Sequence, residues 1–183
     1  MELILSDRPL FLPAAPEREY IDLSQKKVAP CVGCFGCWVK TPGRCVIRDD
    51  APQIYPLIAR SRRVLYVSRV VFGSWAPPMK AMLERSLPIQ QPFLRPHMGE
   101  THHVQRLVEE KDALILAYGP ESQEEKDLFR RLVERNRRNM SFKSYQVIFC
   151  REEEVQDAAE YEGIVLLCCV QSQMYHCYQI RAY

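Results

Sequence analysis

The sequence predicts an α/β domain, and three observations carry that expectation. Short apolar runs rich in Val, Ile, Leu and Tyr recur at Leu3 to Leu5, Tyr20 to Leu23, Val64 to Val71, Ala113 to Tyr118, Tyr145 to Cys150 and Gly163 to Val170. They lack strict polar/apolar alternation, as do strands buried on both faces of a parallel sheet. Between them lie segments with helical spacing, Ala51 to Arg60, Pro77 to Ser86, Glu121 to Asn139 and Glu152 to Tyr161, and alternating strands and helices are the signature of the class. The chain has 183 residues and no internal repeat or low-complexity linker, so one domain over 1–183 is expected, with a core large enough to dispense with disulfides.

The Glu121 segment is the clearest helix. Leu128, Phe129, Leu132 and Val133 form one stripe, Asp127/Arg131 and Glu134/Arg138 are favourable i,i+4 pairs, and Ser122 followed by Glu125 suits a capping box. The first crossover is unusual. Parallel strands near residues 3 and 22 would normally be joined by a helix, but Pro9, Pro13 and Pro16 fill the interval and prevent one. An irregular loop is expected there.

Composition excludes several functions. Lys and Arg total 25 against 23 Asp and Glu, a formal net charge of +2, which is not the basic excess of a nucleic-acid binder. The longest apolar run, Ile164 to Val170, falls far short of the roughly 20 residues that span a bilayer, so no membrane partner is expected. The start, Met1-Glu2, lacks the basic and apolar regions of a secretory signal. A reducing cytoplasm is the expected location, where clustered cysteines serve as ligands or reactive thiols.

Four of the eight cysteines, Cys31, Cys34, Cys37 and Cys45, follow the pattern C-x2-C-x2-C-x7-C. Four thiolates make a complete ligand set, and Gly33 and Gly36 allow one loop to wrap its sulfurs around a small inorganic centre. An iron–sulfur cluster fits this spacing. Zinc fits less well, since its structural sites draw two separated ligand pairs, and a packed loop of free thiols is the third option.

Here the sequence resembles the flavodoxin-like NAD(P)H-dependent FMN reductase superfamily, especially its iron–sulfur flavoprotein branch. The resemblance rests on the cysteine ladder followed by Asp49-Asp50, on Ser68-Arg69-Val70-Val71-Phe72-Gly73-Ser74-Trp75 with Met79-Lys80-Ala81 and Glu84-Arg85, and on Ala117-Tyr118-Gly119. It covers about residues 1–150, most specifically 28–86. It implies a flavodoxin-like three-layer sandwich with a five-stranded parallel sheet in the order 2-1-3-4-5 and FMN at the carboxyl ends of the strands. Ser6 and Arg8 would lie toward the FMN phosphate, Ser68, Val70, Val71, Phe72, Gly73, Ser74 and Trp75 along one side of the isoalloxazine ring, and Tyr118 and Gly119 on another. Cys31, Cys34, Cys37 and Cys45 would hold a [4Fe–4S] cluster.

The implied activity is electron transfer between a nicotinamide (NAD(P)H) or ferredoxin-type donor, the cluster, FMN and a small acceptor, in an oligomeric enzyme. The flavin carries that chemistry, and no catalytic side chain is assigned. Two departures stand out. Asp7 and the three prolines occupy the region where the family places a phosphate-binding loop and helix N-terminus, and Arg69 stands where the family commonly has proline. The alternative function is therefore a relative that has lost FMN and acts as a non-enzymatic binding or structural module.

The remaining features have plainer expectations. His97, Glu100, His102 and His103 suit a surface or subunit-contact loop. Arg60, Arg62 and Arg63, and Arg130, Arg131, Arg135, Arg137 and Arg138, suit solvated faces. Cys168, Cys169 and Cys177, in a divergent tail over 151–183, suit buried packing with an added edge strand or dimer contact. Trp38 and Trp75 flank the two expected sites.

Overall fold

A computed structural model describes residues 1–97 and 99–168. Five strands form the main sheet: β1 (Glu2–Ser6), β2 (Arg18–Asp22), β3 (Arg63–Val71), β7 (Lys111–Tyr118) and β8 (Phe142–Cys150). Their order is β2-β1-β3-β7-β8 and every pairing among them is parallel. A two-residue strand, β4 (Ser74–Trp75), folds back antiparallel on the end of β3, and β5 (Gln90–His97) with β6 (Glu100–Gln105) makes a separate hairpin. The helices are a single turn, α1 (Gly36–Val39), then α2 (Ala51–Arg60), α3 (Pro77–Glu84), α4 (Gln123–Asn139) and α5 (Val155–Cys168).

Side-chain alternation along the buried strands divides the core in two. Leu3, Leu5, Tyr66, Ile115 and Ala117 face α2, α3 and α4 through Ile54, Ile58, Met79, Met82, Phe129 and Val133. Ile4, Leu65, Val67, Leu114 and Leu116 face the other way, toward Leu10, Val155 and Ala159. The second layer is thus α5 together with the loop after β1, which has no helix, as its prolines dictate. That loop is fastened instead by side chains. The Leu10 N–H donates to the Tyr20 hydroxyl at 2.7 Å, and the Phe11 backbone exchanges hydrogen bonds with the Gln156 amide at 3.0 and 2.8 Å.

Helix α4 begins as its sequence indicates, with Ser122 Oγ accepting from the Glu125 N–H, while the Glu125 carboxylate accepts from Glu121. Its charges pair differently from the expected ladder. Asp127 and Glu134 take Arg130 and Arg137 one turn away at i,i+3, and Arg135 and Arg138 both reach Glu100 on β6. The arginine face is therefore partly an attachment face for the hairpin. A long-range acceptor fixes a side chain that local spacing alone would pair within the helix.

Two expectations are overturned. The histidine segment is not a loop: His97, His102 and His103 lie in the hairpin, with His102 between Glu100 and Asn139. The segment from Gly163 is not a strand either, because 163–168 continue α5. A short apolar run cannot by itself distinguish a buried strand from a buried helix, and here the helix starting at Val155 runs into it. Residues 169–183, with Cys169, Cys177 and any added strand or dimer contact, lie outside the described residues.

Lys111, at the start of β7, is 1% exposed. Burial lowers its pKa from 10.5 to about 8, while Glu109 acts to raise it. Below pH 8 the amine is charged folded or unfolded, and its burial opposes folding. Between about 8 and 10.5 the folded state has released a proton that the unfolded chain keeps, so stability rises with pH, by about 3 kcal/mol in total. Lys111→Met is expected to remove this rise. Guanidinium unfolding at pH 7 and 10 checks it: a rise as large as that of the wild type would show that another group titrates.

Candidate functional site

The carboxyl ends of β1, β3 and β7 meet at one edge of the sheet, where the strand order reverses about β1. Such a switch point is where open parallel sheets bind ligands. Ser6 and Ser68 are buried there. Ser6 accepts from the Arg8 N–H at 3.2 Å, and the Ser68 hydroxyl caps the turn by accepting from the Ala76 N–H. Asp7 points into this edge rather than to solvent. Its carboxylate accepts from the Arg69 N–H at 2.7 Å, the Tyr118 hydroxyl at 2.9 Å and the Ser68 hydroxyl at 3.3 Å. Burial pushes its pKa up, and these three donors act in the opposite direction. Asp7 is thereby committed to joining the three strand ends.

The turn between β3 and β4 projects from the same edge. Phe72 adopts a left-handed backbone (φ 50°) with its side chain 89% exposed. Gly73 follows at φ +69°, pressed so closely on α4 that a Cβ would lie 2.5 Å from Leu128. Val70 and Trp75 turn inward. Trp75 packs edge-on against Phe129 and donates to Asn136 at 3.0 Å, so it anchors the turn from within the core. On the far side, Gly119 has φ +72° and stands against the Arg69 side chain, where a Cβ would lie 3.2 Å from Nε. Ser74 and Val71, paired across the turn, are partly exposed.

Two guanidinium groups overlook this edge. Arg8 lies over the Tyr118 ring, 5.4 Å from its centroid. Arg8 and Arg69 both approach one carboxylate, Glu152, at 3.5 and 3.2 Å. Glu152 was not expected at the site. It lies 144 residues from Arg8, beyond the range of any local spacing.

The cysteine loop is a second centre. Lys27 and Ala29 at its start donate backbone N–H bonds to Asp50 and Asp49 at its end, at 2.7 and 2.9 Å. Arg85 locks the closure from α3's end, with Nη1 and Nη2 on the two Asp49 oxygens at 2.6 and 2.9 Å and Nη1 also on the Ala29 carbonyl. Its side chain is 1% exposed. Burial would raise the Asp49 pKa, but the Arg85 hydrogen bonds prevail and hold it below the ordinary carboxylate value.

Within the loop, Gly33 and Phe35 take positive φ before the single turn of α1. Cys37 is buried, Cys34 exposed, and Cys31 and Cys45 lie between these extremes. Burial raises the Cys37 thiol pKa, and Cys45, Cys31 and Cys34 are all near enough to add to the effect. Among the described residues, no three of His, Cys, Asp and Glu are arranged to hold a single metal ion. Arg85 Nε is buried, and Cys45 acts on the same guanidinium both electrostatically and through a side-chain hydrogen bond. Trp38 attaches the loop to the hairpin by packing at a tilt against His103, 4.7 Å between ring centroids, and by donating to the Gln90 carbonyl.

No family model matches the chain. It is 34% identical over 84 residues to an iron–sulfur flavoprotein of Methanocaldococcus jannaschii, covering 45% of this chain and 42% of that protein. An iron–sulfur flavoprotein of Archaeoglobus fulgidus is also 34% identical over 84 residues, 37% of its length. The matched segment thus spans less than half of these curated relatives. An FMN-dependent NADH-azoreductase from Bacillus anthracis, solved with FMN, superposes with a TM-score of 0.58 at 12% identity, covering 93% of this chain and 99% of that one. An NAD(P)H:quinone oxidoreductase from Methanothermobacter marburgensis gives 0.57 at 10% identity, covering 96% and 98%. The fold is therefore flavodoxin-like, and the sequence similarity to iron–sulfur flavoproteins covers less than half of this chain.

Proposed function

We propose that this chain, similar in sequence to iron–sulfur flavoproteins and in fold to FMN-dependent NAD(P)H reductases, is itself an FMN-dependent oxidoreductase. The observation that carries this reading is the convergence of the loops at Ser6–Arg8, Ser68–Trp75 and Tyr118–Gly119 on the switch point of the sheet. Bound there, FMN would supply the redox chemistry. The turn at Phe72 and Gly73 offers an apolar ring and a close backbone approach for one side of the isoalloxazine. Gly119, lacking a Cβ, lets the Arg69 side chain lie close against its loop, and Arg8 lies on the phosphate side.

The cysteine loop supports a [4Fe–4S] cluster held by Cys31, Cys34, Cys37 and Cys45. The buried Arg85 guanidinium suits that occupant: it is a donor beside the Cys45 sulfur, and anionic sulfur accepts such hydrogen bonds. Electrons would pass from a nicotinamide or ferredoxin-type donor to a small acceptor such as a quinone by way of FMN, which can take a hydride from a nicotinamide, with the cluster serving as a one-electron carrier.

Protein purified without oxygen is expected to be coloured, to contain iron and acid-labile sulfide, and to gain thermal stability on adding FMN, since a ligand that binds only the folded state raises its apparent stability. One observation favours a different function. Asp7 consumes donors at the edge, and no helix N-terminus follows β1, as in a module that has given up FMN. Colourless protein whose melting temperature ignores FMN would establish that alternative.

A further inference from the structure

We propose that Arg8 and Arg69 form a clamp for a phosphomonoester dianion and that the Glu152 carboxylate, which contacts both, competes with the FMN phosphate for it. The proposal rests on the FMN reading and concerns how this chain holds a phosphate without a helix N-terminus after β1.

The two cations come from different strand ends and meet on a single anion. Glu152 Oε2 lies 3.2 Å from Arg69 Nη1, and Oε1 lies 3.5 Å from Arg8 Nη1, which is also 3.5 Å from the Glu152 carbonyl. Both arginine stems are positioned by what they cross. Arg69 lies against Gly119, where the absence of a Cβ leaves it room, and Arg8 lies over Tyr118. Among the described residues Glu152 is the one carboxylate ion-paired with either arginine, and the nearby Asp7 is turned inward onto Tyr118, Ser68 and the Arg69 backbone.

Charge and geometry favour exchange. One carboxylate carries a single negative charge between two guanidinium groups, each engaged through one nitrogen, whereas a phosphate dianion balances both and can accept paired N–H bonds from each. The contacts to be displaced are weak. All three side chains are between about a third and half exposed, and exposed ion pairs at such distances contribute little to stability.

Glu152 can withdraw without unravelling α5. It occupies a single 3-10 turn of three residues before the helix, and the rest of that turn is held separately by Arg151 on Glu154. The adjoining Phe11–Gln156 pair keeps the proline loop docked whichever anion is present. The clamp therefore opens by rotation of one side chain.

Flavin fluorescence titrations of the wild type, Glu152→Gln and Arg69→Gln, each with FMN and with riboflavin, test the proposal. Glu152→Gln is expected to tighten FMN about fivefold and Arg69→Gln to weaken it about tenfold, while riboflavin, which lacks the phosphate, binds all three proteins alike. Variants that leave the FMN-to-riboflavin ratio unchanged would overturn the clamp and leave the FMN reading intact. If no protein binds either flavin, the FMN reading fails, and pyrophosphate then tests the clamp alone. Thermal stabilisation by pyrophosphate that grows in Glu152→Gln and vanishes in Arg69→Gln would uphold an anion site. Equal response in all three would remove it.

Discussion

Arg85→Met is expected to destabilise the protein by about 3–5 kcal/mol, the range for removing one partner of a buried ion pair. The guanidinium is the only cation paired with Asp49 among the described residues, and it also satisfies the Ala29 carbonyl. Without it, a carboxylate 9% exposed remains with only the Ala29 and Ala51 N–H groups. The loss concerns the cysteine loop first, since Asp49 and Arg85 join its ends to α3. Denaturant unfolding should show the lower midpoint, and Cys37, buried in the wild type, should alkylate sooner. Asp49→Asn combined with Arg85→Met should restore part of the stability by removing the unpaired charge. A loss below about 1 kcal/mol would place the pair among ordinary surface bridges.

Gly73→Ala is expected to be the most damaging single-methyl change at the ligand edge. The residue has φ +69°, and the added carbon would lie 2.5 Å from Leu128 Cδ2, 2.9 Å from Cγ and 3.0 Å from Cβ. The nearest atoms include the root of the leucine side chain, so a rotamer change cannot clear them all. The turn or α4 must move. Left-handed strain alone costs about 1–2 kcal/mol, and displacing Phe72 and Ser74 should weaken FMN at least about tenfold, since misplacement by an ångström is costly at a site built on backbone. Adding Leu128→Ala should relieve the clash but not the strain, recovering part of each loss. Gly33→Ala is the control, with φ +64° and open space around it: it should show strain without any effect on flavin. Wild-type flavin affinity in Gly73→Ala would separate this turn from the binding edge.

The parallel sheet was legible because its strands are buried on both faces and read as continuous apolar runs. The helix at Ala51–Arg60 was legible because its neighbours punctuate it, and three prolines correctly excluded a helix after β1. The hairpin from Gln90 to Gln105 escaped notice for the opposite reasons. Pro92 and Pro96 break its pattern, and β5 is mostly exposed, so no buried face imposes a period of two. At the cysteine loop, spacing identified the sulfurs, but the closing Asp49–Arg85 contact depends on α3 packing beside the loop. Asp7 read as a charge unwelcome near a phosphate. Its inward turn depends on β7 bringing Tyr118 alongside, a contact 111 residues away. Trp75 read as a flank of the site, yet β4 folds it into the core.

The sheet also bears on how this protein avoids self-association into fibres. Among the described residues β2 and β8 are its two outer strands, each presenting an unpaired ladder that an extended chain could extend. Strand β2 has only five residues, with Glu19 exposed on it and Asp22 at its end. Strand β8 is longer, but Lys143, Ser144 and Gln146 are exposed on it, and Arg130 and Lys126 of α4 lie over Phe149. An incoming strand would have to bury those charges before gaining a ladder. Glu19 and Asp22 on β2 and Lys143 on β8 therefore act as gatekeepers of the two open sides.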